Sequence, residues 1–105
     1  MILQIAIVPG NYRLKKTQQE YLENVFLELR KAALARYPDT AFQSVNFVFE
    51  QDCELFKRFL PISKLHSLNW SLESEVILSD YPLAIVSDRR TRNKAKRLKI
   101  PSFTL

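Results

Sequence analysis

The class of fold is indicated by Ile2-Leu3-Gln4-Ile5-Ala6-Ile7-Val8, a short apolar run that is rich in β-branched residues. The run stops at Pro9-Gly10-Asn11, residue types that are common in turns. An apolar run of this length before a turn is typical of a strand buried on both faces, as in parallel sheets. Leu83-Ala84-Ile85-Val86-Ser87 repeats the pattern after the breaker Tyr81-Pro82. We therefore expect both runs to be buried strands.

Helical and strand-like segments follow the first run in alternation. After the capping box Thr17-Gln18-Gln19-Glu20, apolar residues recur at helical spacing as far as Pro38, which predicts a helix of about five turns. Alternating apolar and polar residues over 44–50 predict a second strand. A second helix is expected after Asp52, which can cap it, with its end at Pro61.

The remainder of the chain extends the alternation. Residues 62–80 show no clear period, whereas residues 89–99 predict a basic helix that Ser87 or Asp88 can cap. Residues 102–105 can add a final strand. This order predicts an α/β fold, with a small three- to four-stranded, mostly parallel sheet flanked by helices.

Composition excludes several classes of function. We expect a single domain over residues 1–105, because 47% of the residues are apolar, enough for one core. The only glycine is Gly10, which excludes the glycine-rich phosphate loops of dinucleotide-binding and P-loop proteins. The only cysteine is Cys53, so neither an intrachain disulfide nor a thiolate zinc cluster can form. We expect a cytoplasmic protein without a signal sequence, a transmembrane segment or a membrane partner.

The strongest functional signal is the charge of residues 88–99. This segment holds seven of the sixteen Lys and Arg residues and one acid, whereas the rest of the chain has nine basic and ten acidic residues. Such a concentrated positive charge predicts a polyanionic partner, which is nucleic acid (RNA or DNA) or an acidic protein. The expected phosphate-binding residues are Arg89, Arg90, Arg92, Lys94, Lys96 and Arg97, with help from Arg13, Lys15 and Lys16.

Two properties of this helix bear on that interpretation. Lys and Arg are good helix formers, so a solvated surface helix is the alternative explanation. However, Arg89, Arg90 and Arg92 fall in the first turn, where positive charge is unfavourable by about 0.3–1 kcal/mol per residue at low salt. The like charges also repel one another, with few acidic partners in the helix. A sequence selected for stability alone would mix charge signs here.

Acidic residues at the ends of predicted strands suggest a metal site. Glu50 and Asp52 follow the second strand and Asp88 follows the third, while Asn11 follows the first. If the sheet is parallel, these groups can converge at its carboxyl edge and hold a magnesium ion for phosphodiester cleavage. Asp52 and Asp88 are also well placed as helix caps, and Glu50 can simply be solvated.

Three segments near the end of the chain also follow the pattern of a known family. They are Leu72-Glu73-Ser74-Glu75, residues 83–90, and Ala95-Lys96-Arg97-Leu98-Lys99-Ile100-Pro101. Over residues 72–105 the chain thus resembles the end of a PIN-type nuclease domain. The resemblance implies a metal-dependent ribonuclease with Glu73 and Asp88 as ligand candidates. The first strand lacks the aspartate that holds the metal in that family, and Ser87 stands in place of the first member of its acidic pair.

Three functions follow from these features. The leading one is a small, non-enzymatic nucleic-acid-binding protein that uses the basic helix on phosphates. The second is a PIN-like or other metal-assisted ribonuclease that uses Asp88 with Glu73, Glu50 or Asp52, for which magnesium is the only cofactor expected. The third is a protein-interaction or inhibitor module, including a homodimer formed through an exposed edge of the sheet.

Overall fold

A computed structural model of the chain describes residues 1–10, 19–38 and 42–105. These residues form one α/β unit in which helices connect the strands of a single sheet. The elements in chain order are β1 (Ile2–Val8), α1 (Gln19–Ala35), β2 (Ser44–Glu50), α2 (Glu54–His66), β3 (Asn69–Glu73), a 3₁₀ helix (Leu78–Asp80), β4 (Leu83–Val86), α3 (Arg89–Arg97) and β5 (Ser102–Thr104). None of the helices in these ranges has the length and apolar character needed to cross a membrane.

The sheet has five strands in the order β3-β2-β1-β4-β5, and every neighbouring pair is parallel. The predicted α/β class is therefore confirmed, with one strand more than expected. Ile5 pairs with Phe47 on one side and with Leu83 on the other, which places β1 at the centre. The chain builds outward from β1 to β2 and β3, and then crosses to β4 and β5. The carboxyl ends of β1 and β4 consequently flank the point at which the direction of winding reverses, where α/β proteins usually bind ligands.

One face of the sheet carries the main core. Leu3, Ile5 and Ile7 point to this face and pack with buried residues of α1 and α2. Four phenylalanine rings form its centre, with the rings of Phe26 and Phe59 4.8 Å apart between centroids. These rings are Phe26, Phe47, Phe49 and Phe59, each fully buried. The alternation of apolar residues in β2 thus indicated the buried face correctly.

The opposite face carries a smaller apolar cluster. It contains Ala6 and Ala84 from the strands, together with Val76 and Leu78 from the segment that connects β3 to β4. The helix α3 contacts β4 and β5, and it buries Thr91 and Ala95. Only two of the nine residues of α3 are buried, so most of its surface faces solvent.

Helix α2 departs from the sequence prediction at both ends. Its N-cap is Cys53, whereas Asp52 lies in the preceding turn with φ at 67°. Pro61 does not end the helix but lies inside it, and α2 continues to His66. The exposed Pro61 ring disturbs only the solvent side of the helix, while the next residue, Ile62, is buried in the core. Burial of the turn that follows Pro61 offsets the stability lost with the backbone hydrogen bond that proline cannot donate.

Candidate nucleic-acid interface

The basic helix α3 begins at an aspartate cap. Asp88 has extended backbone geometry, and its Oδ1 atom accepts hydrogen bonds from Thr91 N at 2.7 Å and from Thr91 Oγ1 at 2.8 Å. Of the two predicted caps, Asp88 therefore serves α3. Ser87 instead donates its hydroxyl hydrogen bond to the carbonyl oxygen of Pro9. This bond ties the carboxyl end of β4 to the loop that follows β1.

Only a narrow stripe of α3 faces the protein. Thr91 and Ala95 are buried, and Leu98, one turn further on, is 44% exposed. Helical geometry directs the remaining positions away from the sheet. The side chains that are exposed in and just after α3 are Arg89, Arg90, Arg92, Asn93, Lys94, Lys96, Arg97 and Lys99. All six predicted phosphate-binding residues therefore lie at the surface.

The cations of α3 are not neutralised by carboxylates in the described parts of the chain. Among the described residues, Lys57 forms an ion pair with Glu54 and His66 contacts Glu23, and both contacts lie on other helices. Asp88, the one acid of the basic segment, is held by its capping contacts to Thr91. The arginine and lysine side chains of α3 are thus directed to solvent without an ion-pair partner in residues 1–10, 19–38 or 42–105.

Two concave surfaces lined by described residues adjoin α3. The first is an open groove of about 1020 Å³ along its outer side. Its lining residues are Arg89, Arg90, Asn93, Lys96 and Arg97. Arg89 and Arg90 line one end of this groove, and Lys96 and Arg97 line it about two helical turns further on, with the neutral Asn93 between them. An extended anion lying in the groove would therefore meet positive charge at both ends.

The second is a cleft of about 460 Å³ at the carboxyl ends of the strands. Its wall combines apolar side chains with two carboxylates and two cations. The lining residues are Val8, Gly10, Glu50, Val76, Leu78, Asp88, Arg90, Thr91 and Lys94. The cleft lies at the reversal point between β1 and β4, and Arg90 lines both the cleft and the groove. Arg90 thus lies between the two surfaces.

Gly10 gives the cleft its shape. Its backbone is in the left-handed region at φ +60°, which residues other than glycine adopt at a cost. A Cβ atom at this position would lie 2.3 Å from Asp88 Oδ2, closer than real Cβ atoms approach other atoms. Gly10 thus lets the β1 loop approach the Asp88 carboxylate. The sequence analysis did not predict this contact. The feature that could have indicated it is the position of the only glycine of the chain in the turn that follows the first strand.

The four carboxylates predicted as metal ligands are not all brought together. Glu50 and Asp88 share the cleft wall, and one oxygen of Glu50 accepts a hydrogen bond from Val76 N at 3.1 Å. Glu73 is the register partner of Glu50 on β3, whereas Asp52 lies exposed in the turn after β2. Among the residues that the structure describes, no three His, Cys, Asp or Glu side chains form a group that could hold a metal ion.

The position of Glu73 is also seen in its effect on Tyr81. Burial raises the pKa of the Tyr81 phenol, and the negative charges of Glu73 and Asp80 raise this pKa further. The Glu73 carboxylate is therefore near enough to Tyr81, on the segment that leads into β4, for its charge to act on the phenol. The predicted contributors Asn11, Arg13, Lys15 and Lys16, and the capping residue Thr17, lie outside the described residues.

Comparisons of the chain with protein-family models, with curated proteins and with solved structures find no match. The groove, the cleft and the charge of α3 are therefore the features that bear on function.

The cap of α3 yields a stability prediction. Replacing Asp88 with alanine should lower the free energy of unfolding by about 1 kcal/mol, because Thr91 N loses its acceptor at the helix start. Asp88→Asn should cost only a few tenths of a kcal/mol, since asparagine caps about as well as aspartate. Urea denaturation of the two variants measures the difference. Glu75→Ala, at an exposed position, is the control and should change stability by less than about 0.5 kcal/mol. Equal losses for Asn and Ala would contradict the capping role.

Proposed function

We propose that the protein binds nucleic acid through contacts between the cations of α3 and backbone phosphates. The observation that carries this proposal is the exposure of the α3 cations, none of which pairs with a carboxylate in the described residues. Unpaired cations on one rigid helix create a positive potential that a polyanion can neutralise, with release of its own counterions.

The chemistry of the side chains supports phosphate as the ligand group. Arg89, Arg90 and Arg97 can each offer two parallel N–H donors to a phosphate, which a lysine cannot do. Asn93 lies among them in the groove and has both a donor and an acceptor for a sugar or a base. Contacts of this kind fix position and affinity rather than sequence, so we expect binding with little sequence preference.

A binding panel tests the proposal directly. Labelled RNA and DNA, each single-stranded and double-stranded, are titrated with the protein in filter-binding assays at two salt concentrations. We expect binding at low salt, with an affinity that falls steeply as the salt concentration rises, because phosphate contacts dominate. Absence of binding to every polymer at low salt, or an affinity that does not change with salt, would refute the proposal. An acidic protein would then be the partner to seek.

Metal-assisted cleavage of RNA is the second candidate, and the shared cleft favours it. Glu50 and Asp88 line the same wall beside Arg90 and Lys94. Magnesium often uses only one or two protein carboxylates together with substrate phosphates, and these two residues are suitable in number and type. The same panel with magnesium or manganese tests this function. Asp88→Asn should abolish cleavage while leaving the α3 cap in place. No cleavage with either ion would leave binding as the function.

A further inference from the structure

Among the residues that the structure describes, strand β3 forms an open edge of the sheet. The strand order leaves β3 and β5 at the two edges, and β3 is the longer of them. Both Trp70 and Leu72 of β3 are 39% exposed. Natural sheets usually protect such edges with lysine, proline or a bulge, because an open edge can pair with another strand. The five residues of β3, Asn69-Trp70-Ser71-Leu72-Glu73, include neither lysine nor proline.

The backbone of β3 has hydrogen-bonding groups directed outward. The carbonyl oxygen of Glu73 accepts a hydrogen bond from Gln51 N, so the backbone of Glu73 points toward β2. Backbone direction alternates along a strand, and the N–H and C=O groups of Leu72 and Trp70 therefore point away from β2. Each of these two residues presents one donor and one acceptor at the edge.

Apolar side chains line the same edge. Trp70 and Leu72 lie on the face of the sheet that α2 covers, and the ring of Trp70 packs edge-on against Phe56 with centroids 4.9 Å apart. Leu60 follows Phe56 by one turn of α2 and is also only half-buried. The edge patch, defined as Phe56, Leu60, Trp70 and Leu72, is therefore apolar and carries no charge.

We propose that β3 pairs with β3 of a second copy of this chain, antiparallel and centred on Ser71. In this register Trp70 lies opposite Leu72 of the second copy, and Leu72 lies opposite its Trp70. Each of these two pairs exchanges both outward N–H···O=C hydrogen bonds, so the outward groups of both residues are used.

The edge is self-complementary in this register. Aromatic and aliphatic side chains face each other in both pairs, which stabilises neighbouring strands. On the other face of the sheet, Asn69 lies opposite Glu73 of the second copy, where an amide can donate to a carboxylate. No like charges oppose each other. These features favour a second copy over an unrelated strand as the occupant.

The expected interface is of modest size. Two five-residue strands with the edge patch on each side bury on the order of 1,000 Å² in total, near the lower limit for specific association. We therefore expect a dimer that dissociates on dilution. The two-fold axis runs perpendicular to the joined sheet, so the α3 helices of both copies lie on the same face of that sheet. One nucleic acid could then contact both helices. This consequence rests on the proposed function, whereas the dimer itself does not.

Cross-linking tests the register. In a chain with Cys53→Ser, the variant Ser71→Cys should form a disulfide-linked dimer on mild oxidation. Residues that face each other without mutual hydrogen bonds have Cα atoms about 4.5 Å apart, within disulfide range. The matched control is Asn69→Cys, on the same strand and the same face. Its two copies would be about 14 Å apart and should not cross-link, since each faces residue 73 of the other copy.

Sedimentation equilibrium at several protein concentrations, without nucleic acid, tests the association itself. Leu72→Lys should weaken dimerisation about tenfold or more, because a lysine on the edge resists pairing. Leu65→Lys, at a position that is 69% exposed on α2, should leave it unchanged. Circular dichroism confirms that both variants are folded. A monomer at every concentration, or a dimer that survives Leu72→Lys without a Ser71→Cys cross-link, would overturn the proposal whether or not the protein binds nucleic acid.

Discussion

Replacing Arg89, Arg90 and Arg92 together with glutamine is expected to weaken binding to RNA or DNA by about ten- to a hundredfold at low salt. Each exposed ion pair with a phosphate contributes up to about 1 kcal/mol, and three such contacts are lost. The slope of log K against log salt should fall in magnitude by about two to three, because fewer counterions are released. Filter binding of the variant across a salt series measures both effects.

The same substitution should have the opposite effect on the fold. These arginines occupy the first turn of α3, where the helix dipole disfavours positive charge by about 0.3–1 kcal/mol per residue at low salt. Their removal also relieves repulsion within the helix. Urea denaturation should therefore show a variant at least as stable as the original chain. Weaker binding together with unreduced stability would separate a loss of contacts from a loss of structure.

A matched variant controls for net charge. Lys31→Gln, Arg58→Gln and Lys64→Gln together remove the same three positive charges from exposed positions on α1 and α2. If α3 is the contact surface, this control should reduce affinity much less than the α3 variant does. Equal losses in the two triple variants would show that general electrostatic attraction, rather than contact with α3, accounts for binding.

The elements predicted correctly from the sequence are those with a strong hydrophobic period. β1 and β4 are buried on both faces and appear as apolar runs, while α1 buries one face and shows a period near 3.6. In β2 the period of 2 marks the face with Val45, Phe47 and Phe49, although Val48 is buried on the other face. The basic helix was recognised because Asp88 stands at its start and Pro101 follows its end. In β1, β2, β4 and α1, the burial that stabilises the element also determines its pattern.

β3 was missed because it is an edge strand with little burial. Its five residues do alternate between polar and apolar, but the run is short and its two apolar side chains, Trp70 and Leu72, remain 39% exposed. β3 is held by backbone hydrogen bonds to β2, and the pattern of side chains within β3 does not indicate such bonds to another strand. The prediction that α2 ends at Pro61 was wrong for a similar reason. The packing of Ile62 against residues distant in sequence stabilises the turn that follows Pro61, so the helix continues.

The cleft could be predicted only in outline. A parallel sheet brings the ends of β1, β2 and β4 together, so the proximity of Glu50 and Asp88 follows from topology. The contact of Gly10 with Asp88 Oδ2 depends on loop geometry that no spacing rule supplies. The turn that carries Asp52 likewise departs from strand direction, with φ at 67°, and so Asp52 does not join the other two carboxylates.

Removing the ring of Phe59 is expected to cause the largest loss of stability among the substitutions considered. Phe59 is fully buried, and its ring lies 4.8 Å from the rings of both Phe26 and Phe49 and 5.6 Å from that of Phe47, measured between centroids. Phe59→Ala loses the burial of the ring, leaves a cavity and breaks these aromatic contacts, at a cost of about 3–5 kcal/mol. Urea or thermal denaturation of the variant and the original chain measures this change in the free energy of unfolding.

The expected loss is large because one ring joins three elements. Phe59 on α2 contacts Phe26 on α1 and Phe47 and Phe49 on β2, so no single neighbour can move to fill the space without breaking another contact. A domain of this size is typically stable by only about 5–15 kcal/mol, and the variant should be partly unfolded at moderate temperature. The control is Leu65→Ala on the same helix, which is 69% exposed and should cost less than about 0.5 kcal/mol. A loss below about 1 kcal/mol for Phe59→Ala would mean that the four rings do not form one packed cluster, and α2 would then be held by its outer contacts instead.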